Sequence, residues 1–206
     1  MRYLLSLFLC SALMLLGLVK SQAQNADPAP SLALIKNAFG PNVEALGGTN
    51  PVELKGDFNG DGFQDIAVLV RPKGKRGELL PGVNVVQTSE GARPLEPTAI
   101  LNGENSLAVI HGSAAGLQSP KDKFLIYAFG WIGWNGPETG GLLVLPKAKQ
   151  IRDRKGYVAL SSENYVSLPK VNKGAVIVVP TEAGINTILY WDGTKYRFWI
   201  DPGEGD

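Results

Sequence analysis

The chain has 206 residues, with 20 Lys and Arg against 19 Asp and Glu for a formal charge of +1. That balance excludes the strongly basic surface by which nucleic-acid binders displace counterions. Its length fits one domain able to bury a sizeable core. The only cysteine, Cys10, lies near the amino terminus, so the rest of the chain can form no disulfide and offers no thiolate.

Met1-Arg2-Tyr3 precedes an apolar run from Leu4 to Val19, relieved only by Ser6, Cys10, Ser11 and Gly17. The run is shorter than the roughly 20 residues that span a bilayer, and Ser21 and Ala23 supply a small-x-small cleavage pattern. Residues 1–23 are therefore expected to be a signal peptide, cleaved after Ala23, and the protein to be exported, periplasmic or secreted, with no integral membrane segment after signal removal. Cys10 sits inside the apolar run, which argues against lipidation there. Loss of Arg2 and Lys20 with the signal leaves 18 basic residues against 19 acidic ones.

Residues 24–30 are polar and proline-bearing, a disordered leader in expectation, and 31–206 form a single β-rich domain. Ser31 to Gly40 reads as a short helix, with Ser31 able to cap it, apolar residues at Leu32, Ile35, Ala38 and Phe39, and Gly40-Pro41 as a stop. The remainder reads as strand and turn. Apolar, β-branched segments at 66–70, 83–86, 107–110, 124–129, 142–145, 158–160, 175–179, 185–191 and 196–200 are divided by Gly, Pro and Asn, and 25 Gly with 14 Pro supply the punctuation. The fold class predicted is mainly β, antiparallel sheets in a sandwich or partial barrel, with one short N-terminal helix. For the last hairpin, a two-residue Asp192-Gly193 turn sets Leu189 opposite Tyr196 and Thr187 opposite Phe198. Ile185, Leu189, Trp191, Tyr196, Phe198 and Ile200 then share a core face, and Ile188, Tyr190 and Trp199 lie on a partly covered one.

The most informative stretch is GDFNGDGFQDIAVLV at 56–70. Counting Asp57 as the first position, Asn59 is third, Asp61 fifth, Gly62 sixth, Phe63 seventh and Asp65 ninth. This is the order in which a calcium loop offers side-chain oxygens, with the seventh residue using its backbone carbonyl. Hard oxygen donors without nearby His or Cys favour calcium over zinc or copper. The twelfth position, which carries glutamate in a helix-loop-helix site, is Val68, and the strand-like run after Asp65 puts the loop between strands. The rival reading is a polar turn, since Asn-Gly and Asp-Gly are ordinary turn dipeptides. A turn needs one such pair, however, and unneutralised carboxylates crowded in one loop repel.

Residues 57–70 resemble the calcium loop of the FG-GAP and VCBS repeat families of integrin-alpha-like propellers, and Ser106 to Leu117 resembles the later strand and glycine turn of such a repeat. The similarity covers 52–118 and implies calcium ligands at Asp57, Asn59, Asp61, the carbonyl of Phe63, and Asp65. Only one copy is present, so a full propeller is not expected.

Other features carry weaker signals. His111, the only histidine, reads as a satisfied strand-end residue rather than a catalytic base, because no nucleophile motif surrounds any serine. The aromatic stretch 129–136, with Trp131 and Trp134, reads as packing tryptophans before a sugar platform. Basic clusters at 71–76 and 147–155 read as solvated loops before sites for an anionic glycan or lipid. The function expected is that of a non-enzymatic exported calcium-binding protein in binding, adhesion or envelope structure. Its partner would be a glycan or another extracellular or envelope protein; the alternatives are a carbohydrate-binding module and a hydrolase whose site the sequence does not reveal.

Overall fold

The computed structural model describes residues 30–87, 95–101, 105–127, 142–152, 154–155, 157–160, 165–180 and 186–200. The expected signal, residues 24–29 of the expected leader, and the stretch around Trp131 and Trp134 lie outside these residues; Pro30, the last leader residue, belongs to a helix instead. Helix α1 spans Pro30–Phe39. Pro30 holds the first position, where its missing N–H has no intrahelical partner to lose. Gly40, at φ 97°, ends the helix by donating to the Lys36 carbonyl at 3.0 Å.

Six strands build the first sheet: β1 (Val43–Ala45), β2 (Glu53–Gly56), β3 (Asp65–Pro72), β4 (Val83–Gln87), β5 (Ser106–His111) and β6 (Asp122–Tyr127). Their order is β1-β3-β5-β6-β4, with β2 also on β3. β1 and β2 share one edge of β3, the first opposite 70–72 and the second opposite 65–68. The sheet is mixed, because β4 runs parallel to β6, a pairing the antiparallel expectation did not include. The second sheet is wholly antiparallel. It orders β12 (Tyr196–Ile200), β11 (Asn186–Trp191), β10 (Val176–Pro180) and β7 (Leu143–Leu145). β8 (Tyr157–Ala159) and β9 (Tyr165–Ser167) form a separate antiparallel pair.

Alternation along the strands sets the layers. Ala67 and Leu69 of β3, with Leu107, Val109, Phe124 and Ile126, meet Ile177, Val179, Leu189 and Tyr196 in the sandwich interior. Ile66, Val68 and Val70 point the other way, with Ala108, Ile110 and Leu125, onto Leu34, Ile35, Ala38 and Phe39 of α1. Beyond the second sheet, Val176, Val178, Ile188 and Tyr190 are covered by Val158 and Val166 of the β8–β9 pair. Both sheets are therefore covered on both faces, which is why β3 and β5 read as nearly continuous apolar runs. Each large aliphatic or aromatic side chain so buried contributes about 1.5–3 kcal/mol.

The last hairpin keeps the expected faces but not the register. Trp191 pairs with Tyr196, Leu189 with Phe198 and Thr187 with Ile200, two residues from the two-residue-turn alignment. The cause is Asp192, whose Oδ1 accepts from the N–H groups of Thr194 and Lys195 and from the Thr194 hydroxyl at 2.8–3.0 Å. That carboxylate draws Thr194 and Lys195 into a longer turn. A shift of two preserves side-chain parity, so Leu189 and Tyr196 still enter the sandwich. Ile188 and Tyr190 are buried rather than partly covered, and Ile200 is 55% exposed at the far end. Ile185 lies outside the described residues.

Candidate functional site

The register brings several loops to one end of the sandwich. β3 begins where β5 ends, Ile66 facing Ile110. β10 begins beside the ends of β7 and β11, Val176 facing Leu145 and Ile177 facing Leu189. The β2–β3 loop thus meets the β5–β6 loop, the segment before β10 and the β11–β12 turn. Backbone bonds tie them: Ala175 N–H donates to the Asp57 carbonyl at 2.6 Å, and Lys173 N–H to the Trp191 carbonyl at 3.0 Å.

All five sequence-predicted ligands lie in the β2–β3 loop or at its end, but they have different jobs there. Asp65 is the keystone. It is fully buried; its Oδ2 accepts from the N–H groups of Phe58 at 2.7 Å and Asn59 at 3.2 Å, and its Oδ1 from Gly112 N–H at 2.8 Å. The last bond crosses to the β5–β6 loop and joins it to the β2–β3 loop. Among the described residues Asp65 has no cationic partner. Burial pushes its carboxyl up to about 6, a rise that the three N–H donors oppose and the nearby Asp61 charge reinforces.

Asp57 organises the outer turn. Its Oδ1 accepts from Gly60 N–H at 2.7 Å and Asp61 N–H at 3.1 Å, and its Oδ2 from Gly62 N–H at 3.0 Å. Asn59 Oδ1 accepts from Asp61 N–H at 2.9 Å, while Asn59 Nδ2 donates to Asp61 Oδ2 at 2.9 Å. Asp61 Oδ1 accepts from Phe63 N–H at 3.1 Å, and Lys121 Nζ stands 3.4 Å from its Oδ2. Burial acts to raise the Asp61 carboxyl, but the Phe63, Asn59 and Lys121 donors outweigh it and hold the group below its ordinary value. Phe63 itself is 41% exposed. Gly60 and Gly62 adopt φ of 75° and 89°, the left-handed region that folds the chain around the carboxylates. Gly60 is fixed twice over, since a Cβ there would lie 2.3 Å from the Lys173 carbonyl oxygen.

The donor set is all oxygen and matches a hard cation in kind. Each carboxylate already accepts three hydrogen bonds of its roughly four lone-pair sites, and about one remains on each for a cation. Among the described residues, no group of three or more His, Cys, Asp or Glu side chains is gathered ready to hold a metal ion; ligation therefore requires these carboxylates to re-aim. The amide donors absorb part of the repulsion between the crowded carboxylates.

Behind the loop lies a cluster the sequence did not assemble. His111, at the end of β5, is fully buried, with Nε2 2.8 Å from the Tyr196 hydroxyl. Its ring meets Phe124 and Tyr196 tilted and Trp191 edge-on, at centroid distances of 5.0–5.6 Å. Among the described residues Nδ1 has no hydrogen-bond partner; Asp122 Oδ2 is 3.9 Å away, too far for one. Burial pushes the imidazole down to about 4, against the pull of Asp122, Asp61 and Asp57. His111 is the strand-end residue expected, and among the described residues one of its two ring nitrogens is satisfied. No sequence period could have shown the cluster, since it joins strands of different sheets.

Comparison with protein-family models, curated proteins and solved structures finds no match to this chain. Among the described residues, no helix is long and apolar enough to cross a membrane.

Proposed function

We propose that the protein is an exported, non-enzymatic binding protein whose 57–65 loop takes up calcium in the manner of a single FG-GAP or VCBS unit. It would serve in binding, adhesion or envelope structure at the end of the sandwich where the loops meet. The observation that carries this reading is the presence of Asp57, Asp61 and Asp65 in one short loop folded by its own amides, with the buried Asp65 carboxylate lacking a cation among the described residues. Asp57, Asn59, Asp61, the Phe63 carbonyl and Asp65 would hold the ion. When bound, calcium supplies the positive charge that the loop's amides only partly replace. The chain itself contributes the wrap of the loop through Gly60 and Gly62 and the anchoring of Asp65 to Gly112.

Thermal melting in calcium and in chelator tests the proposal. The wild type should melt higher in calcium, Asp61→Ala should lose the difference, and Asp192→Ala, in the β11–β12 turn and outside the proposed ligand set, should keep it. Equal responses of wild type and Asp61→Ala would leave a self-capped turn as the better description.

A further inference from the structure

The basic run 147–155 is exposed at Lys147, Lys149, Arg154 and Lys155, as a solvated loop would be, but several of its side chains are tied to a second loop. Lys147 Nζ donates to the Asn172 carbonyl at 2.9 Å. Arg152 reaches the Leu168 carbonyl at 2.8 Å, the Pro169 carbonyl, and Asn172 Oδ1 at 3.3 Å. Gln150 Nε2 donates to the Leu145 and Gly174 carbonyls at 3.0 and 3.2 Å, and Gln150 Oε1 accepts from the buried Asn172 amide at 2.6 Å. Two loops, 146–152 and 168–174, are thereby stitched into one surface. Lys147 and Arg152 are bonded to neutral oxygens, and among the described residues none of Lys147, Lys149, Arg152 and Lys173 pairs with a carboxylate. Burial, then the like charges of Arg152 and Lys173, hold the Lys147 ammonium below its ordinary value, which places these three charges close together.

The same two loops present aliphatic side chains to water. Ile151 is 80% exposed and Val171 62% exposed, each next in sequence to a residue that locks the network. Uncompensated cations alone would suit any polyanion. Cations flanking protruding aliphatic side chains match a layer of negative charge with an apolar phase beneath it, which is an anionic lipid surface. We propose that this face docks peripherally on anionic bilayers, with Lys147, Lys149, Arg152 and Lys173 meeting headgroups and Ile151 and Val171 entering the acyl boundary. The proposal is independent of calcium.

Hydrogen–deuterium exchange of the full chain, in chelator, tests it on phosphatidylcholine vesicles with and without about a third phosphatidylglycerol. The apolar run 4–19 would enter both kinds of vesicle alike, so the readout is local. Amides of 146–152 and 168–174 should exchange about tenfold more slowly on the anionic vesicles only, and the protection should fall as salt rises. Ile151→Ser with Val171→Ser should remove most of the protection, and so should Lys149→Glu with Lys173→Glu; these side chains are exposed and hold no part of the network. Protection equal on both vesicles, or absent from both, overturns the proposal. Protection that survives loss of Ile151 and Val171, or that a soluble polyanion reproduces in full, would assign the face to an anionic polymer instead.

Discussion

Asp65 and His111 are two buried titratable groups at one end of the sandwich, and they bias stability in opposite directions. The Asp65 carboxyl is raised to about 6 from 3.8, so the folded state binds its proton more tightly and stability grows as pH falls from about 6 towards 4. The His111 imidazole is lowered to about 4 from 6.5. Its unfolded form binds the proton more tightly, so that contribution is intact above 6.5 and lost as pH falls towards 4. In the absence of calcium the two slopes oppose, and the wild type should change little across this window. Urea unfolding in chelator should expose them separately: Asp65→Asn loses stability on acidification, whereas His111→Gln gains it. Slopes of the same sign in both variants would contradict the assignment. The glycines allow a second comparison. At Gly62 alanine meets only the left-handed backbone, a cost of about 1–2 kcal/mol; at Gly60 it also collides with the Lys173 carbonyl. Gly60→Ala should therefore be the more destabilising in denaturant titration, and equal losses would show that the 57–65 loop does not press on the segment before β10.

Helix α1 and the β8–β9 pair are the outer covers of the two sheets, and their contribution can be measured. Phe39 is fully buried between α1 and the first sheet, so Phe39→Ala should cost about 3–5 kcal/mol. Leu143→Ala, in the edge strand β7 and 48% exposed, should fall within about 0.5 kcal/mol. Chemical denaturation distinguishes the two. Strands with two buried faces, such as β3, β5 and β10, were legible because their apolar residues run on without interruption. β1, β2 and β9 were not. They are three or four residues long and carry Glu44, Glu53, Lys55 or Ser167, so their strand character comes from the partner they pair with rather than from their own pattern. The parallel placement of β4 and the longer Asp192 turn were equally hidden, the first because it is a matter of topology, the second because a carboxylate capping several donors leaves no trace in periodicity. Helix α1 needed only its apolar spacing and Gly40, and both were visible.

The sandwich as a whole gathers at one end a carboxylate loop, a buried histidine cluster and a cationic face, contributed by segments far apart in the chain. The acidic loop was readable because its oxygens are local in sequence, and so was the basic run at 147–155; its joining to 168–174 was not, because β7 and β10 pair only in the fold, and the histidine cluster exists only once two sheets stack. The loop and the cationic face are neighbours, since Gly60 packs on the Lys173 carbonyl. The proposed function, an exported protein with a calcium-binding loop, implies modest affinity, with a dissociation constant of about 10⁻⁴ to 10⁻³ M, the range of extracellular calcium modules. At a hundredfold excess of free ion over that constant the folded state gains about 2.7 kcal/mol. Calorimetric titration of calcium into chelator-treated protein measures this directly. The account predicts one site per chain in that range for the wild type, abolished in Asp57→Ala and retained in Asp192→Ala. Absence of binding heat in the wild type, or the same isotherm in Asp57→Ala, would contradict it and leave the 57–65 loop as a turn held by its own amides.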